Sequence, residues 1–352
     1  MEHKIESRNW DLRSDTVTKP TVEMLSRMME APVGDDVFGE DATVREFEQA
    51  VAKLCNKQAA LFCASSTMSN QLAIRTHITT VPASLVVHKN SHVFQYESGG
   101  ASLLTQAMMV PVSPESTVNL TKGDVEKNII PDNFLYHKAP TKLVCLENTF
   151  SGVVMPLEDI EQIAAMSHER GIPVHMDGAR LWNASIATGI PLATYASHVD
   201  SINLCLSKGM GCPVGAMLVG SNEFIDRARH FRKVFGGGWR QAGVLAAAGL
   251  YAIENIWPTM KESHRLARKL ADGFVEAGFE LALPVDTNMV LLSKGNKLLS
   301  DQDFNKLADD LKPKGVVLGL PYEGSVRIVV HHQITGECID CILQSVRSMF
   351  IA

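Results

Sequence analysis

Lys208 lies in the run Ser201-Ile202-Asn203-Leu204-Cys205-Leu206-Ser207-Lys208-Gly209-Met210-Gly211, where a strand-like apolar stretch ends in a Ser-Lys pair and two nearby glycines. A lysine carried by a buried strand into such a turn is poorly hydrated. Desolvation disfavours its ammonium form and leaves the neutral amine available as a nucleophile. That is the chemistry needed to hold an aldehyde cofactor as a Schiff base, although a lysine at a strand end also commonly just reaches water. A second segment, Ile172-Pro173-Val174-His175-Met176-Asp177-Gly178-Ala179-Arg180, ends another apolar run on an acid. The stretch between them has room for a helix, a break at Pro191 and the next strand. That reads as β-α-β and places Asp177 and Lys208 at the same edge of an open sheet, the usual binding edge. An Asp beside a Lys suits pyridoxal phosphate: the lysine forms the imine and the carboxylate keeps the pyridine nitrogen protonated, so that the ring accepts electrons. An ordinary buried ion pair would not require glycines after both residues.

The phosphate of such a cofactor needs a loop of small residues at a helix N-terminus, where free N–H groups and the helix dipole meet an anion. Ser65-Ser66-Thr67-Met68-Ser69-Asn70-Gln71 follows the apolar run Ala59–Cys63 and opens a helix carrying Leu72, Ile74 and Ile78. Plain N-capping needs one hydroxyl, and here there are four. Gly236-Gly237-Gly238-Trp239-Arg240-Gln241 offers a second cation-bearing loop, or a flexible turn before a helix. His92, just after a strand, is placed to stack on an aromatic ring, or is structural. A substrate carboxylate calls for a forked donor, and Arg180 and Arg327 are both placed for it or for surface ion pairs.

These residues must be held by a substantial core. The chain has 352 residues, enough for a large domain and a smaller one, and 45% of them are hydrophobic. The net charge of −6 and the absence of any dense Lys/Arg run speak against nucleic acid and anionic membrane as partners. Residues Met1 to Trp10 are polar, unlike a signal region, and the longest apolar stretch, Gly243 to Ile253, is too short to span a bilayer and reads as a buried helix. Seven cysteines without pairing pattern point to a reducing compartment, hence the cytoplasm. Cys338 and Cys341 form a Cys-x-x-Cys with no second pair for zinc; the surrounding Ile334–Phe350 reads as an amphipathic helix, and no metal is expected.

An extended arm and a helix opening near Thr21 occupy residues 1–30. A helix with Val44, Phe47, Val51 and Leu54 follows the polar turn Gly34–Asp41. From 58 to 235 strands and helices alternate, with strands expected at Ala59–Cys63, Leu85–His88, Lys142–Glu147, Pro173–Asp177, Ser201–Leu206 and Gly215–Val219, and a helix at Leu157–Glu169. A long helical stretch over 240–278 leads to strands near Asn288–Leu292, Val316–Leu318 and Ser325–Val330. The expected division is a large α/β domain over 31–250 and a small C-terminal α+β domain over 251–352.

With these segments assembled, the sequence resembles the threonine aldolase family of pyridoxal-phosphate enzymes. The resemblance runs from Asp11-Leu12-Arg13-Ser14-Asp15-Thr16-Val17-Thr18 through His175–Arg180, Ser207–Gly211 and Gly236–Gln241 to Arg327. It implies the aspartate-aminotransferase fold (PLP-dependent transferase, fold type I), with a mixed, mostly parallel sheet in the large domain. By the same resemblance Lys208 carries the cofactor, Asp177 pairs with the pyridine nitrogen, His92 stacks on the ring, and Ser66 and Thr67 hold the phosphate. Ser14, Arg180 and Arg327 hold the amino-acid carboxylate. Arg240 reaches the phosphate of a neighbouring subunit, which implies a homodimer or homotetramer with shared active sites. Asp15 and Glu97 match family positions without an assigned role. The chain departs from the family pattern at Ser66 (usually Gly), Phe38 (usually Tyr), Trp239 (commonly Met) and Phe150, which replaces a His found in many bacterial members near the substrate hydroxyl. The implied reaction is cleavage of L-threonine or L-allo-threonine to glycine and an aldehyde. An amino-acid racemase or other β-lyase on the same scaffold is the alternative, and a non-catalytic scaffold a more distant one.

Overall fold

A computed structural model describes residues 10–115, 117–133, 137–293, 300–319, 321 and 325–351; the polar stretch before Trp10 lies outside them. Its strands are β1 (Trp10–Asp11), β2 (Ala59–Cys63), β3 (Ser84–His88), β4 (Met108–Val112), β5 (Thr141–Glu147), β6 (Val174–Asp177), β7 (Ser201–Cys205), β8 (Ala216–Gly220), β9 (Met289–Ser293), β10 (Val316–Val317) and β11 (Ser325–Val329). Seven of them form one sheet in the order β2-β8-β7-β6-β5-β3-β4. The five from β3 to β7 pair in parallel, while β8 runs antiparallel between β7 and β2. The fold is therefore α/β with a mixed, mostly parallel sheet. Every residue of β3, β6, β7 and β8 is buried, as in a sheet covered on both faces by helices. The C-terminal ends of β2, β3, β5, β6 and β7 all lie at one edge, so five connections leave the sheet on the same side.

The expected strands and the helix Leu157–Glu169 are found within one or two residues of where the sequence pattern put them. β4 escaped notice because Pro111 interrupts Met-Met-Val-Pro-Val. It lies at the rim of the sheet, where a missing N–H breaks no ladder. The long helical stretch over 240–278 is not continuous. Helix Gly243–Tyr251 passes through a π turn (Ala252–Ile256) and a 3-10 turn (Trp257–Thr259) before helix Met260–Glu276 begins. Pro258 lacks the N–H that a regular helix would use there. The first of these helices buries Gly243 and Ala246 to Gly249, with Gly249 flat against the Phe47 ring, where a Cβ has no room, and leaves Val244 exposed.

A second core gathers Leu12, Leu266, Phe274, Val290, Phe304, Ile328 and Ile342 around the antiparallel pair β9–β11. The N-terminal arm is built into it. β1 pairs with β10, and Val329 N–H donates to Leu12 O at 2.8 Å. Helix Gly336–Phe350 packs there too and buries Cys338, whose thiol burial pushes up to about 12; this is the inert, packed end of cysteine behaviour. Among the described residues no helix is long and apolar enough to cross a membrane.

Candidate active site

Asp177 ends β6, buried and surrounded by amides. Its Oδ1 accepts from Asn203 Nδ2 at 2.9 Å and from Ala179 N–H at 3.1 Å; its Oδ2 accepts from Asn70 Nδ2 at 2.8 Å. Two side chains on elements far apart in sequence, and the turn after the strand, thus aim donors at one carboxylate. A carboxylate has about four acceptor positions. Three are filled, leaving one for a further N–H such as that of a protonated ring nitrogen. Gly178 makes the turn possible, because a Cβ there would sit 2.7 Å from Asn203 O.

Lys208 lies in the turn between β7 and β8, beside the end of β6. The N-terminal arm clamps this turn from above: Thr18 Oγ1–H lies 2.8 Å from Lys208 O. Gly211 adopts a φ of +73° and faces the His332 ring, 2.7 Å from where a Cβ would be, so the turn closes only with glycine there.

The helix after β2 begins at Ser66. Ser65 Oγ caps it, accepting from Met68 N–H at 3.1 Å, and the first intrahelical bond is Ser69 N–H to Ser65 O at 3.0 Å. The N–H groups of Ser66 and Thr67 precede that bond and are the helix donors left for an anion. Ser66 Oγ accepts from Asn203 Nδ2, which ties the helix start to the amide that serves Asp177. Gly237 lets the glycine loop press against this first turn, since a Cβ there would fall 2.7 Å from Met68 Sδ. The loop's Arg240 points elsewhere within one chain. It pairs with Asp35 at 2.9 Å, half exposed, and lies 5.9 Å from the Phe38 ring. Trp239 meets the Phe62 ring edge-on at 5.5 Å.

His92 follows β3, partly exposed, with Nδ1 2.9 Å from Glu97 Oε1 and its backbone N–H 2.8 Å from Glu147 Oε2. The bond to buried Glu97 raises its pKa against the opposing effect of burial. Glu97 also accepts from Asn70 and from Gln71 Nε2, at 2.8 and 2.5 Å. His92, Glu97 and Asp177 offer ligand atoms within 4.8 Å of one another. Donors already bind the two acids, so the group reads as a hydrogen-bonded cluster rather than a cation site.

Arg180, three residues past Asp177, is forked onto Asp15, with Nε to Oδ2 at 2.8 Å and Nη2 to Oδ1 at 2.5 Å. Asp15 is fully buried. Burial works to raise its pKa, but Arg180 and then Lys208 hold it at about 2. Arg327 stands on β11 with its side chain exposed; partial desolvation and then the like charge of Arg180 lower its pKa. Ser14 Oγ accepts from Thr16 N–H at 3.2 Å and leaves its own proton free to donate. Phe150 is packed against His88, with ring centroids 4.3 Å apart.

The structure thus brings Lys208, Asp177, His92, Ser66, Thr67 and Arg180 to one sheet edge, with Ser14 and Arg327 supplied by the arm and the second core, and keeps Arg240 apart. It adds Asn70, Asn203, Glu147 and the role of Glu97 as the binder of His92, none of which the sequence reading assigned. The signal for Asn203 and Asn70 was a polar residue inside an otherwise apolar strand or helix face.

A lysine in the turn after one strand, an amide-solvated acid at the end of its neighbour and a forked arginine at the same sheet edge suit an enzyme of the pyridoxal-phosphate kind. The chain belongs to the beta-eliminating lyase family, whose model matches residues 11–294, and within it to the threonine aldolases. It is 42% identical to a probable low-specificity L-threonine aldolase of Schizosaccharomyces pombe, over 97% of this chain and 87% of that one. It is 38% identical to the low specificity L-threonine aldolase of Escherichia coli K12, over 93% and 95%. Among solved structures, a putative L-allo-threonine aldolase of Listeria monocytogenes superposes with a TM-score of 0.81 at 22% identity, covering 97% of each chain.

Proposed function

We propose that this chain cleaves L-threonine and L-allo-threonine to glycine and acetaldehyde with pyridoxal 5'-phosphate as cofactor. The observation that carries this reading is the convergence of Lys208, Asp177 and the Asp15–Arg180 fork at one sheet edge, in a chain 42% identical to a fungal threonine aldolase along 97% of its length. When bound, the cofactor supplies an electron sink for the pair released at the substrate's Cα. Lys208 holds it through Nζ, and Asp177 offers its remaining acceptor position to the ring nitrogen. The N–H groups of Ser66 and Thr67 would take its phosphate, and His92 would stand beside its ring.

Arg180, oriented by Asp15, acts with Arg327 and Ser14 to bind the substrate carboxylate, which fixes the bonds at Cα relative to the ring. The β-hydroxyl proton must leave before the Cα–Cβ bond breaks. Phe150 has no atom to accept it. His92 keeps Nε2 free, because Nδ1 is engaged by Glu97, so His92 or a water beside it is the acceptor. The Phe150 wall suits the substrate's methyl group.

Arg240 serves the phosphate of a neighbouring copy in a homodimer or homotetramer. Support comes from its half-exposed position and from the exposed Val22, Met29, Phe38 and Val234. Cytoplasmic residence accords with seven free cysteines. The test is incubation of the cofactor-loaded protein with L-threonine and, separately, with L-alanine. Glycine and acetaldehyde from the first support the aldolase. Interconversion of alanine enantiomers without aldehyde from threonine transfers the reading to a racemase.

A further inference from the structure

Beneath Asp177 a row of side chains runs through the sheet toward its opposite edge. His175 and Asp177 point to the same face of β6, and Ser201 and Asn203 to the same face of β7, paired in register as His175 with Ser201 and Asp177 with Asn203. The helix Ser66–His77 lies over this square. Its residues 66, 70 and 77 fall within about 40° of one another around the axis at roughly 100° per residue. Each meets one part of the square: Ser66 bonds Asn203, Asn70 bonds Asp177 and His175, and His77 bonds Ser201.

The direction of every bond in this row follows from its upper end. Asn70 Nδ2 commits its two hydrogens to carboxylates, Glu97 and Asp177. A turned amide would set its oxygen against both acids, so Oδ1 must be the atom facing His175, and it must accept. His175 Nε2, 3.1 Å away, therefore carries the proton. His175 is completely buried, and burial lowers its pKa to about 4, so the ring is neutral and Nδ1 is bare. Nδ1 then accepts from Ser201 Oγ–H at 2.8 Å, and Ser201 Oγ accepts from His77 Nε2–H, also at 2.8 Å. All the donors point toward Asp177.

We propose that His175, fixed as its Nε2–H tautomer by Ser201, is a positioning residue that acts through Asn70 to hold Asp177 for the cofactor's ring nitrogen. The inference rests on the functional reading above, in which Asp177 meets that nitrogen. Without a donor at Nε2, Asn70 Oδ1 is left buried and unpaired, and the amide loses its anchor on the side away from the acids. Asp177 then loses a reliable N–H and its fixed orientation.

The test uses the cofactor-loaded protein. Ring nitrogen-15 shifts of His175 are expected to show a protonated Nε2 and a bare Nδ1; the opposite tautomer, or a doubly protonated ring at pH 7.5, overturns the proposal. His175→Leu is expected to weaken pyridoxal phosphate binding, measured by absorbance titration without substrate, by roughly 10–100-fold, the scale of lost outer partners at cofactor-like metal sites. His175→Gln, which returns an N–H at the same reach, should recover most of it. Turnover of threonine should fall with affinity in kcat while KM stays within about threefold, since the carboxylate grip is untouched. Should the Leu variant fail to fold, Ser201→Ala reads the same relay and is expected to weaken cofactor binding in the same direction. Unchanged cofactor affinity in a folded variant, or Gln behaving as Leu does, overturns the role of His175. A wild-type protein that takes up no pyridoxal phosphate overturns the functional reading instead.

Discussion

Glu147 and Asp177 end neighbouring strands in register, yet their carboxylates are served unequally. Three N–H groups reach Asp177, while among the described residues Glu147 accepts from the His92 N–H alone. Burial, then the nearby Asp177, pushes Glu147 up to about 7, although His92, Lys208 and its one hydrogen bond pull the other way. Of the two, Glu147 has the surroundings that favour its protonated form, with few donors to offset its burial.

The rate of threonine cleavage is therefore expected to change with an apparent pKa near 7, and Glu147→Gln to remove that inflection from the pH profile. The stability effect has a definite sign. The folded chain holds this proton more tightly than the unfolded one, whose carboxyl titrates near 4.5. The contribution is complete below that value and is lost as pH rises through about 7. The decline in Tm between pH 5 and 7.5 should be shallower in the Gln variant; an identical slope and an identical rate profile would exclude this role.

Asp15→Ala leaves Arg180 a buried cation without its anion. Removing one partner of a buried pair costs about 3–5 kcal/mol. KM for threonine is expected to rise roughly 10-fold or more, since an untethered guanidinium loses its fixed fork, with pyridoxal phosphate uptake retained. Asp15→Asn, which keeps the shape, separates orientation from charge. Because the Asp15 pKa is held at about 2, its contribution is present above 3.8 and disappears as pH falls toward 2. Acid titration followed by circular dichroism checks this, and an unaltered acid limb in the Asn variant would refute it.

Lys208→Ala should abolish the visible absorption of bound cofactor and reduce turnover by roughly 10⁴-fold or more, the scale of deleted nucleophiles. The fold should persist, because the arm grips the backbone oxygen at this position rather than its side chain. A visible band that survives would move the covalent link to another lysine.

Gly211→Ala is expected to lower stability by about 1–3 kcal/mol, since a left-handed φ at a non-glycine residue is strained and His332 must move. The displaced turn carries Lys208, so cofactor affinity should fall with Tm. Calorimetry and absorbance titration on one sample test both, and unchanged Tm would mean the turn relaxes at no cost.

Lys208 and Asp177 were legible because each follows an apolar run and precedes glycine, a local pattern that the strand edge turns into a site. Their supports were not legible. Asn70 is 107 positions from Asp177, and Asp15 is 165 from Arg180; no local spacing encodes either meeting. Glu147 looked like an ordinary strand end, because what singles it out is its register with Asp177. Arg240 was named for its glycines, and within one chain those glycines bring its loop onto Met68 but send the guanidinium to Asp35.

The pairing of β1 with β10 joins Trp10 to Val316, residues made far apart in time. At roughly 5–20 residues per second the first strand waits about 15–60 s for its partner to be translated. The strands of the edge proposed to bind the cofactor are all made once β8 has been translated, and His332, which faces Gly211 in the Lys208 turn, follows later. The arm that orients Arg180 is seated in the second core only after residue 316. On the proposed reading, the strands that carry Asp177 and Lys208 are thus made well before the arm that orients Arg180 is seated.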